Sequence, residues 1–179
     1  MNGRTYRFTV VAVNDVGDSD PSAPSNPVTP NATPGAPIGL IASVIPGDGT
    51  RTGRVEFSWS PGSNDGTEVV EYVLAGIVQG GTGSTATSIT VSGPNGQEMC
   101  LSVAARNAAG EGERSGRVCA VPYGRPIVSV TSVQATGRGE GTLVWTTDGN
   151  GRPITAQAVS GCGTSPATIT PATRPATLE

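Results

Sequence analysis

The chain contains two copies of one strand pattern, and this internal repeat restricts its fold more than any other feature. Residues 2–17 read NGRTYRFTVVAVNDVG and residues 95–110 read NGQEMCLSVAARNAAG, so the second copy begins 93 positions after the first. Each copy opens on Asn-Gly, continues with apolar residues at every second position, and ends in a polar stretch that contains glycine. Such alternation predicts a β-strand that buries one face, followed by a hairpin loop.

A second strand pattern also occurs twice, each time around a tryptophan. Residues 53–61 read GRVEFSWSP and residues 141–147 read GTLVWTT, which places Trp59 and Trp145 86 positions apart. A loop rich in Gly, Asn and Asp follows each tryptophan strand. A period near 90 residues, made of short strands and turns, predicts a tandem array of β-sandwich domains.

Taken together, these segments resemble fibronectin type III domains, a family of immunoglobulin-like β-sandwiches. The segment NGRTYRFTVVAVNDVGDSDPSAPSNPVTP is similar to strands F and G of such a domain, and GRVEFSWSP is similar to strand B with its buried tryptophan. The resemblance implies an all-β fold with one complete domain flanked by two partial ones. The implied boundaries are 1–30 for strands F and G, 37–122 for the complete domain, and 127–179 for strands A to C with the start of E.

Within the complete domain the resemblance implies strands A at 38–45, B at 53–60, C at 69–76, E at 87–92, F at 97–107 and G at 116–122. Expected core residues of the whole chain are Trp59, Phe57, Tyr72, Trp145 and Tyr6. The pattern departs from the family at Met99 and Gln157, where a tyrosine is usual. A Pro-rich linker, TPNATPGAP at 29–37, is expected to be short and stiff.

The composition excludes most catalytic chemistry. The chain has no His, and all eleven basic residues are Arg. It therefore has no Ser-His-Asp triad, no imidazole metal ligand and no P-loop lysine. We expect a protein that is not an enzyme, without catalytic residues, cofactor or metal. The use of Arg in place of Lys is typical of GC-rich coding sequence, and we expect a bacterial source, with actinobacteria among the candidates.

Partners are restricted as well. The sequence pI of about 4.9 gives no electrostatic basis for binding nucleic acid. The sequence contains no stretch of about 18 apolar residues, the length that would predict insertion into a membrane. The expected partners are other domains of the same polypeptide and, in one alternative, an extracellular protein or polysaccharide.

Charged loop residues are the candidate ligand contacts. Asp65 and Glu68 fall in the expected B–C loop, and Glu111, Glu113 and Arg114 fall in the expected F–G loop, which the resemblance places at the same end of the domain. Their carboxylates are of the type that binds calcium, but the spacing matches no metal loop and calcium takes six to eight oxygen ligands. We interpret these residues as solvated loops. Tyr123 is the one exposed aromatic expected to offer a stacking surface.

The cysteines predict one disulfide. Cys100 in strand F and Cys119 in strand G are both expected to point out of the sheet at nearly facing positions of an antiparallel pair. Facing Cα atoms lie about 4.5–5.5 Å apart, inside the range that a disulfide accepts. Two free thiols are the alternative. Cys162 is left over, with its partner expected beyond Glu179. A bridge would indicate an extracellular or cell-surface location.

Three functions remain open. The first is a non-catalytic structural or adhesive spacer in a multidomain extracellular protein. The second is a module that binds a polysaccharide or a protein with its B–C and F–G loops. The third is an accessory region of a secreted glycoside hydrolase.

Overall fold

A computed structural model describes residues 2–64, 66–78, 80–137, 140–159, 167–169 and 176–178. Every regular element in these ranges is a β-strand. In chain order the strands are β1 (Ile38–Ile45), β2 (Thr52–Ser60), β3 (Glu71–Gly76), β4 (Gly80–Gly81), β5 (Ser88–Pro94), β6 (Met99–Asn107), β7 (Gly110–Arg114), β8 (Val118–Ala120), β9 (Ile127–Gly137), β10 (Glu140–Asp148), β11 (Gln157–Val159), β12 (Ala167–Ile169) and β13 (Ala176–Leu178).

The first eight strands form two antiparallel sheets. One sheet has the order β1–β2–β5, and the other has the order β4–β3–β6–β7 with β8 also paired to β6. In chain order these strands include counterparts of the strands A, B, C, E, F and G that the sequence implies. The fold is therefore all-β and immunoglobulin-like, as the repeat predicted. The strand expected at 116–122 is shorter in the structure. Two short strands pair with β6 in its place: β7, which precedes the expected range, and β8, which lies inside it.

The chain forms two compact units. The first comprises Met1–Ile41, Phe57–Ile89 and Cys100–Val118, and the second comprises Ala42–Glu56, Thr90–Met99 and Cys119–Glu179. Parts of β1, β2 and β5 belong to each unit. The domain boundaries at 30, 37, 122 and 127 stay predictions.

Alternation in β2 and β6 builds the core of the first unit. Phe57 and Trp59 point inward from β2, and Leu101 and Val103 point inward from β6. The ring of Trp59 meets that of Tyr72 edge to face, with centroids 5.3 Å apart, so the two sheets pack on each other here. β6 is the central strand of its sheet, paired with β3 on one edge and with β7 and β8 on the other, and on its outer face Cys100 and Ala104 are buried whereas Ser102 and Arg106 are partly exposed.

The first unit also contains a hairpin at residues 6–28, termed the N-terminal hairpin. In its first strand every second residue makes backbone hydrogen bonds to the other strand. In its second strand every third residue does so: Ser19, Ser22, Ser25 and Val28. The three serine hydroxyls accept hydrogen bonds from the amides of Ala12, Val10 and Phe8 at 3.0 Å. Prolines between the serines have no N–H to donate, so the returning strand follows a three-residue repeat instead of a regular β-ladder.

A serine hydroxyl also accepts a backbone hydrogen bond at the interruption between β7 and β8. The Ser115 hydroxyl accepts from the Val103 amide at 3.0 Å, and the Ser115 amide donates to the Val103 carbonyl at 2.8 Å. The hydroxyl in turn donates to the Gly116 carbonyl.

The second unit contains the sheet β13–β10–β9 and the strand pair β11–β12. The sheet repeats the order β1–β2–β5, and β11–β12 correspond to β3–β4. The Trp145 indole N–H donates to Gln157 Oε1 over 2.6 Å, so glutamine replaces the aromatic partner that Trp59 has in Tyr72.

Two expected core residues differ from the prediction. Tyr6 and Trp145 are half-buried, unlike Phe57, Trp59 and Tyr72. Tyr6 stacks on Phe8 at a centroid distance of 6.5 Å, in a hairpin whose Phe8 and Val10 are exposed. Alternation identified the inward face of each strand, but burial also needs a second sheet over that face.

Candidate functional site

The Pro-rich linker is fixed to two loops of the first unit, at a site termed the first junction. The Asn31 side chain accepts from the Thr67 amide at 2.8 Å and donates to the Thr67 hydroxyl at 3.1 Å. The buried Asn107 side chain donates to the carbonyls of Ala32 and Thr67. Gly35 donates its N–H to the Ser63 carbonyl at 2.8 Å. The linker is therefore held by the loop after β2 and the turn after β6.

A similar site in the second unit, termed the second junction, surrounds the hinge at 122–126. Asn150 follows β10, is 4% exposed, and donates from Nδ2 to the carbonyls of Thr50 and Arg125 at 2.7 and 3.0 Å. Asn95 donates to Asn150 Oδ1 and to the Thr50 carbonyl. The backbone adds the bonds Gly47 N–H to Tyr123 O and Gly124 N–H to Asn150 O, both 2.9 Å.

The two junctions share one arrangement of glycines. Gly3 donates to the Pro30 carbonyl at 2.7 Å, and Gly96, its counterpart in the repeat, donates to the Pro122 carbonyl at 2.9 Å. A Cβ added to Gly151 would lie 2.7 Å from the Pro122 oxygen and 2.8 Å from the Gly96 nitrogen. In the first junction a Cβ added to Gly3 would lie 2.9 Å from the Gly66 oxygen. The repeat in sequence is thus also a repeat in junction structure.

An ion pair lies at the surface of the second junction. Arg51 contacts the Asp148 carboxylate. The pKa of Asp148 is lowered chiefly by the hydrogen bond from the Asn150 backbone N–H; desolvation opposes this shift, and the hydrogen bond and charge of Arg51 lower the pKa further. Because these groups are exposed, the pair adds little stability.

The predicted F–G loop residues lie elsewhere than expected. These residues belong to β7: Glu111, Glu113 and Arg114. The chain reverses direction directly after β6, where the Asn107 side chain accepts a hydrogen bond from the Ala109 N–H and Gly110 has a φ of 133°. Glu111 is paired with Arg114 at 2.6 Å and with Arg106 at 3.3 Å, and Arg106 also pairs with Glu71 at 2.6 Å. Glu113 and Glu68 are exposed, and Asp65 lies outside the described residues.

The described residues contain one group of three ligand-type side chains close together, Glu98, Cys100 and Cys119, within 4.8 Å. Both sulfurs are bonded to each other and so do not act as thiolate metal ligands, because Cys100 and Cys119 form the disulfide that the sequence predicted. Cys119 is exposed, whereas Cys100 is 5% exposed and alternates with the buried Met99 and Leu101. Cys162 lies outside the described part of the chain.

Tyr123, the expected stacking surface, is already covered. The Arg152 guanidinium lies 4.2 Å from the centre of its ring, a cation–π contact within the second junction. Tyr123 therefore takes part in the junction, and its ring is not a free platform.

Four asparagine side chains make the hydrogen bonds that hold the junctions, and the strand pattern predicts such bonds for none of them: Asn31, Asn95, Asn107 and Asn150. Asn95 opens an Asn-Gly pair, which predicts only a turn. A signal was present, because Asn150 also precedes glycine and its loop, DGNGR, follows the tryptophan strand as PGSNDGTE follows Trp59. Alternation describes strand faces and contains no information on what a loop contacts.

The sheets and junctions define a class of protein, an all-β chain of fibronectin type III-like sandwich architecture whose connecting segments are hydrogen-bonded to adjacent loops. No family model matches the chain. A similar solved structure is the crystal structure of chicken CNTN1 FN1-FN3 domains, with a TM-score of 0.44 and 18% sequence identity. That match covers 100% of this chain, which spans 66% of the length of that structure. No helix in the described ranges is long and apolar enough to cross a membrane.

Proposed function

We propose that the chain is a non-catalytic spacer segment of a multidomain extracellular protein, and that its junctions keep successive sandwich modules at fixed angles. The observation that carries this proposal is the buried Asn150 side chain. It bonds to Thr50, Arg125 and Asn95, which come from a loop, a hinge and a turn that are distant in sequence. A flexible linker needs no such side chain, since its peptide groups are satisfied by water.

Because the Asn150 side chain is buried, the loss of its hydrogen-bond partners would cost more free energy than at an exposed site. A buried amide that loses its partners costs about 1–3 kcal/mol, whereas a satisfied one is favourable. The hinge therefore has one strongly preferred conformation. The first junction supports the same role, because Asn31 and Asn107 fix the linker in the same manner.

The alternative, a module that binds a polysaccharide or protein through its loops, has less support. Glu111 and Arg114 satisfy each other's charge, and Tyr123 is covered by Arg152. The Cys100–Cys119 bridge favours an oxidising compartment, which fits either extracellular role, including that of an accessory region beside a glycoside hydrolase.

Backbone ¹⁵N relaxation of the full chain tests the spacer role. We expect order parameters near 0.85 at Gly35 and Gly124, the value of rigid backbone. Asn31→Ala should lower the value at Gly35, and Asn150→Ala should lower it at Gly124, because each removes the side chain that fixes that segment.

Asn64→Ala is the matched control, because Asn64 is exposed in the same loop as Thr67. It should leave both order parameters unchanged. Values below about 0.6 at Gly35 and Gly124 in the wild-type chain would contradict the proposal, since they indicate flexible backbone.

A further inference from the structure

Two apolar sheet faces of the chain are exposed. On the N-terminal hairpin, Phe8 and Val10 are 59% and 70% exposed. On β9, Val128, Val130 and Val133 are 60%, 61% and 66% exposed. Apolar residues clustered on one sheet face in this way indicate an interaction surface, whereas scattered ones do not.

The β9 valines share their face with residues of β10. Val133 faces Leu143, and Val130 faces Trp145 in the antiparallel register. Facing residues of such a pair lie on the same side of the sheet. The surface therefore includes the tryptophan strand, whose Trp145 is half-buried.

The chain itself shows how two faces of this kind pack. In the repeat, Phe8 and Val10 of the hairpin correspond to Leu101 and Val103, both fully buried in β6. Leu143 and Trp145 correspond to Phe57 and Trp59, which are 0% and 5% exposed in β2. The β6 face and the β2 face belong to different sheets and are both buried, and the two sheets meet where Trp59 contacts Tyr72. The hairpin face and the β9–β10 face are thus two halves of the same kind of core.

The backbone edges match as well. β3 pairs with β4 on one edge and with β6 on the other. Its counterpart β11 pairs with β12 alone in the part of the chain that the structure describes. On the hairpin, the main-chain groups of Arg7, Thr9 and Val11 bond to no strand within the described ranges. A strand edge without a partner is a template for pairing with another chain.

We propose that the N-terminal hairpin of one copy packs on the β9–β10 face of a second copy, with residues 6–12 paired along β11. The register Leu74 opposite Val103 in β3 and β6 predicts Val10 opposite Val159 across the two copies. This contact joins different surfaces of the two copies, so it is heterologous and produces head-to-tail assemblies.

Sedimentation velocity of the full chain tests the proposal. The wild-type mass is expected to rise above the 17.9 kDa of one chain as concentration increases. The double variant Phe8→Asp/Val10→Asp and the double variant Val130→Asp/Val133→Asp should each sediment as single chains, because a charge on either face opposes burial. Val16→Asp is the control. Val16 is 91% exposed in the hairpin loop and should leave association unchanged.

Mixing the two double variants gives the decisive result. Each retains the face that the other lacks, so the mixture should form dimers of twice the single-chain mass and nothing larger. Because the substituted positions are exposed, the variants should keep the wild-type circular dichroism. A wild-type chain that stays single at all concentrations, a double variant that still self-associates, or a mixture without dimers would each overturn the proposal.

Discussion

The side chains of Asn95 and Asn150 are joined by a hydrogen bond of 2.8 Å, from Asn95 Nδ2 to Asn150 Oδ1. Both side chains also donate to the Thr50 carbonyl, at 3.0 and 2.7 Å. Two residues 55 positions apart thus share one acceptor in the segment between β1 and β2. This pair connects the turn before β6 to the loop after β10, and it is the structural centre of the second junction.

Replacing Asn150 should destabilise the second junction in two separable ways. Asn150→Gly removes the side-chain bonds and should cost about 1–3 kcal/mol, because the Thr50 and Arg125 carbonyls lose their donor. Asn150→Ala should cost about 1 kcal/mol more, since Asn150 has a φ of 52° that alanine tolerates poorly. Urea unfolding monitored by tryptophan fluorescence measures both. A wild-type midpoint for Asn150→Gly would show that the side chain contributes nothing.

The two tryptophans should differ in their contribution to stability. Trp59→Ala removes a buried ring and should cost about 3–5 kcal/mol. Trp145→Ala should cost less, because Trp145 is half-buried and its indole N–H bonds to Gln157 at 2.6 Å. Equilibrium urea unfolding of the two variants provides the comparison. Equal losses would mean that the β9–β10 face is as well covered as the β2 face.

The Cys100–Cys119 bridge should stabilise the chain by about 3 kcal/mol in the chain-entropy model. The variant Cys100→Ser/Cys119→Ser should lose this amount in urea unfolding, whereas Cys162→Ser serves as the control that leaves the bridge intact. Thiol titration of the unreduced, unfolded chain should find one free cysteine of the three. Three free thiols after purification in air would contradict both the bridge and the extracellular location.

Tyr72 should make the fold sensitive to alkaline pH. Burial raises the pKa of its phenol above the ordinary value of 10.0, and a smaller effect of the neighbouring Trp59 indole lowers it. Burial is the larger cause, because the buried Trp59 indole N–H makes no hydrogen bond to any described residue. The unfolded chain then releases this proton at lower pH than the folded one, and stability falls as pH rises through about 10. Tyr72→Phe should remove this part of the pH dependence, measured by urea unfolding between neutral and alkaline pH. An unchanged dependence in that variant would contradict the assignment.

The sequence predicted the sheets better than the junctions. Alternation in β2 and β6 identified Phe57, Trp59 and Leu101 as inward-facing, because side chains alternate strictly along a strand. It placed Glu111 and Arg114 in a loop, since nothing in the pattern shows that the hairpin after Asn107 closes in two residues. It also left Asn150 unassigned. Its role depends on carbonyls from residues 25 and 100 positions away, and local pattern does not encode such contacts.

Amide hydrogen exchange at Gly47 and Gly124 tests the central claim most directly. These N–H groups donate to Tyr123 and Asn150 at 2.9 Å, and they belong to the loop and hinge of the second junction and to no strand. A fixed junction predicts that both amides exchange as slowly as those of β2 and β10, and that Asn150→Ala accelerates them while the Phe57 amide stays protected. Exchange of Gly47 and Gly124 at the rate of unprotected peptide in the wild-type chain would contradict the account.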